Sequence, residues 1–251
     1  MRLALVHGFT QTGASWDPVR VELERMGYEV VCPDLPGHGT AAGIRAGVPE
    51  SASRLAADVG EAVWVGYSMG GRVTLDVALE HPDVVRALVL VSTTAGIEDG
   101  EERAARRAGD EQLAADLERM GVAAFIDRWL AAPMWATLPR DRAGVESRLT
   151  NTAAGLASSL RLAGTGAQAS RWSRVQEVRA PTLIITGTAD AKFTALGDRL
   201  AAAVRGADRI QLTGAGHALP WERPEEFAAA VRGWLDRQRM SPTVSSNPKT
   251  S

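Results

Sequence analysis

The sequence predicts a doubly wound α/β domain, a mostly parallel sheet covered by helices on both faces. Three observations predict it. Short apolar, β-rich runs recur along the chain, helical spacing falls between them, and Gly66-Tyr67-Ser68-Met69-Gly70-Gly71 follows one of the runs directly. Strands that alternate with helices specify a parallel sheet, because each connection must cross back over a face before the next strand can pair. At 251 residues, 45% of them hydrophobic, the chain can bury one sizeable core and carry one inserted subdomain.

The elements follow in order. A strand over Leu3–Val6 leads through a glycine loop at Gly8 to a helix that Asp17 would cap, with Pro18 at its first position. A second strand covers 29–33, and Asp34-Leu35-Pro36-Gly37-His38-Gly39 is a loop. A helix near 53–61 precedes the strand 62–65, and the helix after Ser68 sets Val73 and Val77 one turn apart on a core face. Ala87 to Val91 is uniformly apolar, as suits a strand buried on both faces. Pro181–Thr186 and Arg209–Thr213 are further strands. Leu196, Leu200 and Val204, then Phe227, Val231, Trp234 and Leu235, mark the closing helices. Between Thr94 and Val178 the β-rich runs stop, and Leu113, Leu117 and Met120 show helical spacing. The division expected is a core of residues 1–94 and 179–239, a helical cap over 95–178 and a disordered tail over 240–251, where Ser, Pro, Thr and Lys leave little to bury. A cap there would cover Ser68 and exclude water; a purely structural excursion is the plainer alternative.

The strand–turn–helix setting of Gly66-Tyr67-Ser68-Met69-Gly70 makes it a nucleophile elbow, a strained turn that lifts a serine hydroxyl above the sheet and needs small neighbours on either side. A pentapeptide of Gly and Ser also fits surface loops, so the chain must supply an acid and a base after later strands. Asp190 follows the run ending at Thr186, and His217 follows the run ending at Thr213. In that order, His217 can take the Ser68 proton as general base while Asp190 orients the imidazole. The other histidines fit simpler roles: His7 and His38 shape glycine-containing loops around the site, and His81 precedes Pro82 at a helix end.

Composition excludes several classes. The formal net charge is −2 and the basic residues are scattered, which argues against nucleic-acid partners and polybasic membrane contact. No apolar stretch approaches the roughly 20 residues that span a bilayer, and the N-terminus has no signal-peptide layout. The single cysteine, Cys32, rules out an internal disulfide and suggests a cytoplasmic location; its apolar neighbours make it a small core residue. No ligand cluster or phosphate loop calls for a metal or organic cofactor.

Elbow, acid and base together resemble the α/β-hydrolase superfamily across nearly all of residues 1–239. The chain enters at what would be the third strand of the full fold, so the sheet is expected to lack the first two. The resemblance implies an oxyanion hole from the backbone N–H groups of Phe9 and Met69. Within the superfamily, Gly66 to Arg72, Gly164-Thr165-Gly166-Ala167-Gln168 and Asp190-Ala191-Lys192-Phe193 resemble the 2-succinyl-6-hydroxy-2,4-cyclohexadiene-1-carboxylate synthases of the menaquinone pathway, as do Val6 to Thr10 and Glu101 to Asp110. Such enzymes use the activated serine oxygen as a base and eliminate pyruvate from an enolpyruvyl cyclohexene. The likeness implies a small carboxylate substrate, no cofactor, and substrate contacts from Tyr67, Arg72, Arg106, Trp129, Arg148 and Lys192. Arginine suits a substrate with three carboxylates because its guanidinium binds them bidentately. Two departures stand out: Thr188 replaces the family's Glu before the acid, and the stretch 40–61 is short and rich in Ala and Gly.

Three readings fit these residues: a pyruvate-eliminating lyase, a serine hydrolase of esters or carbon–carbon bonds, and a non-catalytic ligand receptor. Intact Ser68, Asp190 and His217 weigh against the receptor, which has no use for all three.

Overall fold

The computed structural model describes residues 1–240; the expected tail over 240–251 lies, beyond Met240, outside the described residues. Strands β1 (Arg2–Val6), β2 (Glu29–Val31), β3 (Ala62–Tyr67), β4 (Val85–Val91), β5 (Thr182–Gly187) and β6 (Asp208–Leu212) form one sheet in the order β2-β1-β3-β4-β5-β6. Every pairing is parallel, with β2 and β6 at the two edges. The central strands β3 and β5 are buried along their whole length, whereas the edge strands β2 and β6 carry exposed residues. That gradient matches the uniform apolarity of the central runs.

Helices α1 (Asp17–Arg25), α2 (Val48–Val59) and α3 (Met69–Glu80) fall within the first half of the sheet. Asp17 is not the cap of α1. A short 3₁₀ turn, Gly13–Trp16, runs directly into the helix, so Trp16 takes the cap position and Asp17 becomes its first residue, stabilised by the positive end of the helix dipole. Helix α2 begins five residues earlier than the 53–61 expected. Val48 starts it with Pro49 in the first turn, and Glu50 reaches back to the Gly47 N–H (3.0 Å), while Gly60, at φ 71°, stops it. Cys32 lies just beyond β2 and is half-buried rather than in the core; burial pushes its thiol up to about 12, which leaves it protonated.

Between β4 and β5 the described chain holds helices and no strand. They are α4 (Gly100–Leu130), kinked at Gly121 (φ 79°), α5 (Val145–Leu149) and α6 (Ala153–Ala163). Leu117, Phe125, Ile126, Leu156 and Leu160 give this segment a small core of its own. Helices α7 (Ala191–Ala203), α8 (Leu219–Glu222) and α9 (Pro224–Met240) complete the chain. Two larger cores lie on opposite faces of the sheet, one with Val73, Val77 and Leu200, the other with Trp16, Phe227, Val231 and Trp234. None of the described helices is long and apolar enough to cross a membrane.

The order of strands reverses at β1, where the chain first moves to one side and then returns to lay β3 on the other. A crevice opens at such a point above the carboxyl ends of the strands. Non-glycine residues with positive φ follow β1, β3 and β4 (Thr10, Ser68 and Ser92), so backbone strain is concentrated along this edge.

Candidate active site

Ser68 occupies the turn between β3 and α3 with φ 51° and ψ −110°. Four bonds fix its backbone there: its N–H donates to the Val91 carbonyl (2.9 Å), and its carbonyl accepts from the Gly71 N–H (3.1 Å), the Arg72 N–H (3.3 Å) and the Thr93 hydroxyl (2.7 Å). The glycines around it are required by contact. A Cβ on Gly66 would stand 2.2 Å from Thr74 Oγ1, and one on Gly70 would stand 2.2 Å from the Val6 carbonyl oxygen.

The structure brings the three separated residues together. His217 Nδ1–H donates to Asp190 Oδ2 (2.8 Å), leaving Nε2 to accept from Ser68 Oγ at 3.3 Å. Asp190 is held by the Phe193 N–H at the start of α7 (3.2 Å), and Gly187 lets the His217 loop approach, since a Cβ there would meet the Ala215 carbonyl oxygen at 2.1 Å. Thr188 Oγ1, which stands in place of the family's Glu, accepts the Gly214 N–H (2.8 Å) and ties the acid loop to the base loop. His217 is itself enclosed by the rings of Phe193, Tyr67 and Trp135 at 4.4–5.5 Å. Glu222 completes this support. Its buried carboxylate accepts the N–H groups of Gly216 (2.7 Å) and Ala218 (3.1 Å), the two residues flanking His217.

Ser68 opens into a cavity of about 450 Å³. Phe9, Tyr67, Met69, Arg72, Arg106, Trp129 and Lys192 all line it. Met69 is the first residue of α3, where N–H groups have no intrahelical acceptor. In the loop after β1, Gln11 Oε1 takes the Gly8 N–H (2.9 Å) and the Gly8 carbonyl takes the Gln11 N–H (3.3 Å), so neither bond uses the Phe9 amide. Tyr67 Oη and the Trp129 and Trp135 indole N–H groups are buried with no partner among the described residues.

Arg72 is 5% exposed and has one polar partner, Gln168 Oε1, at 2.8 Å. Burial, aided by the nearby Arg106 charge, pulls its guanidinium down to about 10, still protonated at neutral pH. Arg106 is more exposed and donates to the buried Asp110 (2.8 Å), one helical turn on. Among the lining residues the only acid is Asp190, already engaged by His217, against the cations Arg72, Arg106 and Lys192.

Arg148 departs from expectation: it does not line the cavity. Its side chain is 1% exposed, donates to the Ala143 carbonyl (2.8 Å) and to Thr10 Oγ1, and stands over the Trp135 ring. Helical spacing cannot separate an arginine facing a cavity from one facing a neighbouring loop. Asp110 and Gln168 lay within recognised motifs but had no role until contacts gave them one. The signal for Glu222 was only its position five residues after the base.

His7 and His38 lie fully buried behind Phe9. His7 Nδ1 donates to the Gly8 carbonyl (2.9 Å) and Nε2 accepts the Leu35 N–H (3.0 Å), so the ring is neutral and its 3.9 Å approach to Asp34 is no ion pair. Burial lowers His7 to about 4 and His38 to about 3, from 6.5 in the unfolded chain; Asp34 opposes the shift at both, and the Arg148 charge adds to it at His7. Above pH 6.5 neither state takes the extra proton. As pH falls below that value the unfolded chain binds protons that the folded chain refuses, and each histidine removes roughly 1.4 kcal/mol of stability per pH unit until its folded pKa is reached. Urea unfolding between pH 7 and pH 5 should therefore show stability falling with acidity, with the slope about halved in His38→Phe. An unchanged slope in that variant would count against the buried neutral pair.

The model of the alpha/beta hydrolase family matches residues 3–230. The chain belongs to that family. Its solved relatives include MenH from S. aureus, which superposes with a TM-score of 0.89 at 27% identity, covering 95% of this chain and 94% of that one. A Bacillus subtilis (strain 168) protein that carries the name 2-succinyl-6-hydroxy-2,4-cyclohexadiene-1-carboxylate synthase provisionally is 34% identical over 245 residues, 92% of this chain and 88% of its own. The enzyme of that name from Enterobacter sp. (strain 638) is 29% identical over 237 residues, 91% and 89% of the two chains.

Proposed function

We propose that this protein is a pyruvate-eliminating carbon–oxygen lyase, a 2-succinyl-6-hydroxy-2,4-cyclohexadiene-1-carboxylate synthase of menaquinone biosynthesis, acting in the cytoplasm on a small carboxylate without metal or cofactor. The observation that carries it is a connected Ser68–His217–Asp190 line opening into a cavity whose uncommitted charges are all positive. A neutral ester has no use for that charge; a substrate with several carboxylates does. Relatives bearing the synthase name match nearly the whole chain, which supports the same reading.

The residues then take these roles. His217 accepts the Ser68 proton, and the serine oxygen removes the ring proton next to the succinyl carbonyl. Charge developing on that carbonyl oxygen meets the Phe9 and Met69 N–H groups. The electron pair of the broken C–H bond forms the second ring double bond and expels the enolpyruvyl group through its C–O bond, as pyruvate once protonated. The proton given up at the ring balances the one taken by the leaving group, and no water is consumed. Arg72, Arg106 and Lys192 hold carboxylates, with Tyr67 and Trp129 closing the walls. Residues 95–178 serve as a cap on the core of 1–94 and 179–239, excluding water from the reaction.

The test is product stoichiometry. Pyruvate should appear together with the ultraviolet absorbance of the conjugated diene, one for one. Pyruvate without diene would mean that water cleaves the enol ether, and the hydrolase reading would replace this one.

A further inference from the structure

Thr10 follows the Phe9 amide directly and sits at φ 68°, fully buried. A β-branched residue is strained in that region and stays there only when its surroundings hold it. The holding contacts come from the inserted helical segment rather than from the sheet. Asn151 Nδ2 donates to the Thr10 carbonyl (2.8 Å) and to the Arg148 carbonyl (3.0 Å), while Asn151 Oδ1 accepts the Gly39 N–H (2.9 Å). Arg148 donates to the Thr10 hydroxyl and is anchored in turn by the Ala143 carbonyl at 2.8 Å. Asn151 is 5% and Arg148 1% exposed, so water does not compete for these bonds.

Neither side chain lines the cavity, and Arg148 has no acid among its partners. An interior arginine with no carboxylate is an expensive way to fill space. Both facts are accounted for if the pair acts on the loop. We propose that Asn151 and Arg148 are positioning residues that fix the strained Thr10 turn and so aim the Phe9 N–H at the oxygen on which charge develops. Because Asn151 also grips Gly39, it ties two loops at the carboxyl end of the sheet to the insert with one amide. The proposal rests on the oxyanion role assigned above to Phe9.

A fluorophosphonate probe tests it, since its reaction with Ser68 places a charged oxygen in the same hole and needs no knowledge of the natural substrate. Asn151→Asp keeps size and the Gly39 bond but sets an oxygen against the Thr10 carbonyl. It should label roughly 10- to 100-fold more slowly than the parent, within the range for losing one oxyanion donor, with KM for the enolpyruvyl substrate changed less than about threefold. Arg148→Lys should retain a larger share of the rate than Arg148→Met, and it decides the matter should Asn151→Asp not fold. Labelling at the parental rate in both Asn151→Asp and Arg148→Met overturns the proposal, as does a loss seen in KM alone. Should the parent release no pyruvate while Asn151→Asp still labels slowly, the synthase reading falls and the positioning role stands.

Discussion

Replacing Ser68 by Ala should lower pyruvate release by about 10³-fold or more, because the oxygen that removes the ring proton is gone and a positioned base is worth 10²–10⁴ alone. The fold should be untouched. Ser68 is held by its backbone and by neighbouring glycines, and its side chain makes one bond, at 3.3 Å, to His217. Alanine must still occupy the φ 51° turn, which the surrounding sheet and helix impose. Steady-state turnover and a melting curve on the same sample separate the two effects. A variant that retains a tenth of the parental rate would remove Ser68 from the chemistry and leave His217 acting directly or through water.

The second large effect is expected at Arg72. Arg72→Met should cost about 100-fold or more in kcat/KM with the tricarboxylate, following the roughly 2–5 kcal/mol lost when a buried charge is left without its partner. With a neutral p-nitrophenyl ester the loss should be small. Equal losses on the two substrates would contradict a carboxylate-binding role. Stability should move the other way or not at all. The Arg72 guanidinium is buried with a single amide partner; Arg106 repels it while Asp110 and Asp76 attract it, so a methionine of similar length chiefly relieves desolvation. A buried charge with no directly bonded acid is what a pocket for an anionic ligand must tolerate while empty.

These expectations divide between what was legible in the chain and what was not. The uniform apolarity of residues 62–65 and 87–91, and the β-rich run Thr182-Leu183-Ile184-Ile185-Thr186, announce strands buried on both faces, and each such strand fixes where its following loop emerges. Ser68, Asp190 and His217 could therefore be placed at one edge of one sheet without coordinates. Local sequence did less well wherever two patterns competed. The Gly13–Trp16 turn carries helical geometry into α1 before Asp17 is reached, so Trp16 rather than Asp17 holds the cap position, and the Ala- and Gly-rich sequence around α2 has too weak a periodicity to mark its start at Val48.

By itself, then, the sequence determined the sheet, the serine turn and the order of acid and base, since strand burial and turn sterics act over a few neighbouring residues. Tertiary structure alone decided what the charged side chains do. Arg72 and Arg148 are both buried arginines on helices, yet one lines the cavity and the other grips the Thr10 loop, because direction depends on elements far apart in the chain packing against each other. Glu222 likewise became a support for His217 only when its helix folded back to place a carboxylate within reach of the two flanking N–H groups. Hydrogen bonds and charges act through space over a few ångströms, and that proximity is set by the fold rather than by spacing along the chain.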